Sequence, residues 1–189
     1  EEKGHLFVTT PFNKGASPFD VSLSLPELQP QIEQLLEALS FVHGFGITHG
    51  ELNPASILVS PDNQILITNF TRAAHNQDLS NSVYLSPQLR DGQVADISAD
   101  IYALGALLYK IIANQDWHAD STFAVDKPIT TDLKHYLEAM LSPAAQDRPT
   151  DLATLRRLIN ENNGQGSSES LENITPSLFS KATSDDSFQ

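Results

Sequence analysis

Cysteine is missing from this chain of 189 residues, which excludes a disulfide framework and a thiolate metal site. Basic residues are scarce: Lys and Arg number 11 against 24 Asp and Glu, for a formal net charge of −13. A surface so poor in positive charge suits neither nucleic acid nor an anionic membrane. The acidity reads instead as what keeps a domain soluble. No apolar run approaches the roughly 20 residues of a membrane-spanning helix, and no stretch reads as a signal peptide. The glycine-rich phosphate loop Gly-x-Gly-x-x-Gly is also lacking. The close pairs Gly44/Gly46 and Gly164/Gly166 do not lie between strand patterns and read as turns or linkers. His5, His43, His49, His75, His118 and His135 show no metal-ligand spacing. No metal site and no cofactor site is therefore read. The expectation is a cytoplasmic protein with no membrane insertion in this chain and no nucleic-acid partner.

What is present is periodic. Leu28, Ile32, Leu35, Leu36, Leu39 and Val42 recur at helical spacing, which predicts an amphipathic helix over 26–43, closed by Gly44 and Gly46. Two short β patterns, 57–59 and 65–67, flank the turn Pro61-Asp62-Asn63. Residues 71–82 are polar and aperiodic, as in a loop. From 100 to 113 the chain is apolar on all sides, the mark of a buried helix. Two further amphipathic helices are predicted at 131–141 and 150–159. Residues 161–189 are rich in Ser, Thr, Asn, Gly and acid, which predicts a disordered tail. There, Thr183-Ser184-Asp185-Asp186 suits a phosphorylatable tether.

Five motifs carry a resemblance. Ile47-Thr48-His49-Gly50-Glu51-Leu52-Asn53-Pro54-Ala55-Ser56-Ile57-Leu58 resembles the catalytic loop of a eukaryotic-type protein kinase. Ile65 to Thr71 is similar to the strand that ends in Asp-Phe-Gly, with Asn69, Phe70 and Thr71 in those places. Val83-Tyr84-Leu85-Ser86-Pro87-Gln88 resembles the close of the activation segment. Ala99 to Tyr109 looks like the start of the buried long helix, and Asp147-Arg148-Pro149-Thr150 like a late Arg-Pro-Thr turn. Their order and spacing run over residues 4–160.

The resemblance implies a mainly α (α+β) fold, the kinase large lobe with short β-hairpins. Residues 1–16 would be the last small-lobe strand and the hinge, 17–160 the large lobe and 161–189 the tail. The rest of the small lobe is expected to be absent from this chain, whose first residue, Glu1, reads as the start of a processed or excised fragment.

By the same resemblance, the chemical letters of the loop are replaced. Gly50 stands for the Arg, Glu51 for the base Asp, Asn53 for the Lys and Ser56 for the metal-binding Asn. Asn69 stands for the Asp that holds Mg²⁺. Hard divalent cations prefer charged oxygens, so both metal positions are weakened together. His49 and Phe70 are implied to be packing residues, and Asp100 a buried acceptor for the His49 loop. Arg148 would pair with the Glu that closes the activation segment. Here that residue is Gln88, so a looser joint is expected. These substitutions lead to the expectation of a pseudokinase, not an enzyme: a scaffolding or regulatory signalling module. It would bind protein at an exposed apolar surface facing the small lobe, near Phe7 and Val8. The alternative is a divergent or split serine/threonine-type kinase that uses Glu51 as base, with its small lobe supplied elsewhere.

Overall fold

The structure, a computed structural model, describes residues 17, 24–70, 82–118, 122–125 and 128–172. The predicted small-lobe strand and hinge, with Phe7 and Val8, lie outside the described residues, as do 71–81 and the tail beyond 172.

Five helices and one hairpin are formed by the described residues. Helix α1, Gln29–Gly44, buries the stripe Ile32, Leu35, Leu36 and Leu39. It starts at Gln29 and not at Pro26, because 25–28 form turns whose Leu28 N–H donates to the Ser24 carbonyl. It stops where Gly46 takes φ +70, which lets Ile47 N–H reach back to the Val42 carbonyl at 3.0 Å. Strands β1, Ile57–Val59, and β2, Ile65–Ile67, pair antiparallel with Leu58 opposite Leu66. Asn63, at φ +59, makes the turn between them. Gln34 of α1 accepts from Ile65 N–H at 2.9 Å and donates to the Asn63 carbonyl at 3.2 Å. Gln31 of α1 also donates from Nε2 to Asn63 Oδ1 at 3.1 Å, so two side chains fix the hairpin to α1.

The short helix α2, Pro87–Arg90, is capped by Ser86. Sequence periodicity does not reveal it, since four residues make barely one turn. Helix α3, Ile97–Ala113, is buried along nearly its whole length. Asp96 caps it, and Asn114, in the left-handed conformation at φ +53, ends it. It runs through the middle of the core. Ile101, Leu104, Leu107 and Leu108 share one cluster with the α1 stripe and with Leu133, Leu137 and Met140 of α4, Thr131–Met140. A Cβ on Gly105 would come 3.0 Å from the Met140 Cβ, so this glycine permits the close approach of α3 and α4. A second cluster sets Tyr102, Tyr109 and Trp117 together, with Phe123 against them.

Helix α5, Leu152–Glu172, adds Leu155, Leu158 and Ile159 to the core. It runs past residue 160, where the tail was expected to begin. The reason is a set of amides that composition does not reveal. Asn160 Oδ1 accepts from Gln29 Nε2 at 2.7 Å, Asn163 Nδ2 donates to Gln29 Oε1 at 2.7 Å, and Asn162 Oδ1 accepts from Thr130 N–H at 2.9 Å. These bonds tie the extra turn of α5 to the starts of α1 and α4, so the polar sequence stays helical there.

Candidate active site

Asp100 lies in the first turn of α3 with 1 % of its surface exposed. Its Oδ2 accepts from His49 N–H at 2.8 Å, and its Oδ1 accepts from Gly50 N–H at 2.8 Å. A third donor, His43 Nε2, reaches Oδ2 at 2.8 Å from the last turn of α1. A buried carboxylate needs such partners, and here it joins α1, α3 and the loop.

Gly50 has φ +84, and a Cβ built there would come 3.1 Å from the Ala95 Cβ. Both facts favour glycine, where the family places Arg. His49 is buried; its Nε2 donates to the Thr68 carbonyl at 2.8 Å, and its Nδ1 accepts from Glu51 N–H at 3.3 Å. Its ring lies 4.8 Å from that of Phe70, in a tilted contact. These bonds leave His49 no free nitrogen for proton transfer.

Glu51 is half-buried. Its N–H is held by His49, its carbonyl accepts from Asn53 Nδ2 at 2.7 Å, and no hydrogen bond or ion pair to its carboxylate is found among the described residues. Asn53 and Ser56 bracket the 3₁₀ turn Pro54–Ser56 in a reciprocal capping box. Asn53 Oδ1 accepts from Ala55 N–H at 2.9 Å, Asn53 N–H donates to Ser56 Oγ at 3.1 Å, and Ser56 Oγ donates to the Asn53 carbonyl at 2.8 Å. The Ser56 hydroxyl is buried and occupied on both sides. Asn69 is exposed at φ +63. The two positions that hold divalent ions in the family thus present one neutral amide and one internally bonded hydroxyl. This donor set does not fit the family's metal arrangement.

Arg148 is 5 % exposed and forms no ion pair with a carboxylate among the described residues. Its Nε donates to the Ser142 carbonyl at 2.8 Å and its Nη1 to the Ser98 carbonyl at 3.1 Å. Its Nη2 donates to Gln88 Oε1 at 2.7 Å and to the Pro143 carbonyl at 3.2 Å. The guanidinium stands 4.9 Å over the Tyr102 ring. Burial pushes its pKa below the ordinary arginine value, against smaller opposing effects of Tyr102 and Asp96. Gln88 also donates from Nε2 to the Pro143 carbonyl. Where a looser joint was expected, four oxygens and an aromatic face surround the cation.

Sequence reasoning missed His43. The available signal was its position six residues before His49, just inside the glycines that end α1. It also missed that Asn53 and Ser56 bond to each other.

Against known proteins, the family model of the protein kinase domain matches residues 12–162. The chain belongs to the protein kinase family. Among its kinase relatives is the serine/threonine-protein kinase PknB of Mycolicibacterium smegmatis, 31% identical over 124 residues, 60% of this chain and 19% of the relative. A probable serine/threonine-protein kinase of Clostridium acetobutylicum is 27% identical over 157 residues, 75% of this chain and 23% of the relative. This chain thus spans about a fifth of the length of such kinases. The crystal structure of the Mycobacterium tuberculosis PknI kinase domain superposes with a TM-score of 0.60 at 22% identity, covering 80% of this chain and 64% of that one. That likeness bears out the mainly helical large-lobe fold with its two-stranded sheet.

The relatives correct one expectation. Reading the substituted loop letters as the mark of a non-enzyme does not stand, because the matched kinases are named as serine/threonine-protein kinases. The residues themselves supply the physical reason: a carboxylate remains at the base position, and the exchanged neighbours rebuild the loop around it. Among the described residues no helix is long and apolar enough to cross a membrane.

Proposed function

We propose that this chain is the large lobe of a divergent serine/threonine-type protein kinase in which Glu51 is the base. The observation that carries this reading is the state of Glu51. Both of its backbone groups are held by side chains, while its carboxylate is left without a partner among the described residues. A base needs that combination of fixed position and free lone pairs.

In the reaction, a protein hydroxyl gives its proton to the Glu51 carboxylate as its oxygen bonds to the γ-phosphorus of a nucleoside triphosphate. The bond from that phosphorus to the bridging oxygen breaks, and the nucleoside diphosphate leaves with the electron pair. His49 and Asp100 hold the loop and take no part in proton transfer. The reading includes a protein partner beside the loop. Phe41 and Phe45, edge to face at 5.1 Å and both well exposed, offer it an apolar surface. It also places the protein in the cytoplasm, where nucleoside triphosphate is abundant.

The test is phosphate transfer from γ-labelled nucleotide to a protein substrate by the full-length polypeptide and by Glu51→Gln. Loss of the base should lower kcat by about 10²-fold or more. Equal rates for the two proteins, or no transfer by the unaltered one, would overturn the proposal.

A further inference from the structure

We infer that Asn53 is a positioning residue for Glu51, and that the place filled by Lys in the family pattern has here become part of the frame of the loop. The inference rests on Glu51 being the base.

Every polar group of Asn53 is used within five residues. Its Nδ2 donates to the Glu51 carbonyl, its Oδ1 accepts from Ala55 N–H, its N–H donates to Ser56 Oγ, and its carbonyl accepts from Ser56 Oγ and from Ser56 N–H at 3.0 Å. The amide can face only one way. Turned over, it would set NH₂ against Ala55 N–H and oxygen against the Glu51 carbonyl. Pro54 follows at the first position of the 3₁₀ turn, where its fixed φ suits the turn and its missing N–H costs nothing.

The result is a clamp on residue 51 from both sides. His49 Nδ1 takes its N–H and Asn53 Nδ2 takes its C=O. His49 is in turn held by Asp100, itself bonded by His43. On the other side, Asn53 is held by the buried Ser56, whose carbonyl also accepts from Thr68 N–H at 2.8 Å. The strand that leads to Asn69 and the residue that carries the base are therefore joined through Asn53 and Ser56.

Lys could not take this role. It has no acceptor for Ala55 N–H, and its ammonium sits on a flexible four-carbon stem. Asp would keep the acceptor and lose the donor to Glu51. The substitutions at 53 and 56 thus belong together: Ser56 gives Asn53 a partner, and Asn53 gives Glu51 a fixed carbonyl.

The experiment compares Asn53→Ala, Asn53→Asp and Asn53→Lys with the unaltered full-length polypeptide, using nucleotide and a peptide substrate. Asn53→Ala and Asn53→Asp should lower kcat about tenfold or more, as expected of a displaced base, and leave KM for nucleotide within about twofold. Asn53→Lys should also fall below the unaltered protein. A kcat for Asn53→Lys equal to or above that of the unaltered protein would overturn the inference, since Asn53 would then be no more than a missing cation. Amide exchange provides a readout independent of turnover. Ala55 N–H should exchange at least about fivefold faster in Asn53→Ala and stay protected in Asn53→Asp. If the unaltered protein transfers no phosphate, the base reading fails, and exchange alone decides the role of Asn53 in the loop. Unchanged Ala55 protection in Asn53→Ala would end it.

Discussion

Replacing Asp100 with Ala should be among the most damaging single changes in this domain. The carboxylate takes three hydrogen bonds at 2.8 Å, from His49 N–H, Gly50 N–H and His43 Nε2, and is 1 % exposed. Truncation leaves two buried backbone donors and a ring N–H without an acceptor. Each such orphan costs roughly 1–3 kcal/mol, so the loss should reach about 3–5 kcal/mol even after His43 turns toward solvent. That is a large share of the roughly 5–15 kcal/mol that holds a domain folded. The assay is urea unfolding followed by circular dichroism, with stability read from the midpoint at constant slope. Asp100→Asn keeps one oxygen and should lose about 2–3 kcal/mol, which gives a measurable variant if Ala does not fold. Glu51→Ala, which removes a side chain with no hydrogen bond among the described residues, should cost about 0.5 kcal/mol or less. A loss under about 1 kcal/mol for Asp100→Ala, or equal losses at 100 and 51, would refute the three-donor account.

Arg148→Lys should destabilise by about 2–4 kcal/mol in the same assay, because an ammonium cannot reach oxygens of Gln88, Ser98, Ser142 and Pro143 together. Gly50→Ala should cost about 1–2 kcal/mol through its φ of +84 and the 3.1 Å approach to the Ala95 Cβ, and a neutral result would mean that the loop backbone can relax. Burial pushes the Tyr136 phenol from 10.0 up to about 12, with a smaller contribution from Asp151. Since the folded value is raised, this contribution to stability is full below pH 10 and is lost as pH rises toward about 12. Tyr136→Phe should remove that alkaline decline while costing about 1 kcal/mol at neutral pH for the lost bond to the Asp151 carbonyl, as titration of stability between pH 9 and 12 would show.

The elements most legible in the sequence were those whose signal is local. The α1 stripe, the turn at Pro61-Asp62-Asn63 and the apolar α3 each announce themselves within a dozen residues. The placement of Asp100 under the loop came from resemblance. Hydrogen bonds between distant residues gave no such signal. His43 reaches Asp100 across 57 positions, and Gln29 reaches Asn163 across 134. The second of these pairs ties α5 to α1 beyond residue 160, where a composition rich in Asn, Ser and Gly read as tail. Asn53 and Ser56 failed differently. Compared with a family pattern they register as losses, and only their mutual geometry shows that each replaces what the other needs.

Gln88 has one more consequence. A clasp made of arginine and carboxylate opens in acid, because protonation removes the partner's charge. Gln88 has nothing to protonate, and the other acceptors around Arg148 are main-chain carbonyls. None of the four oxygens that hold Arg148 is therefore lost to protonation in acid. One amide in place of one acid thus leaves α2, the start of α3 and the turn before α5 tied together by a clasp with no proton to gain.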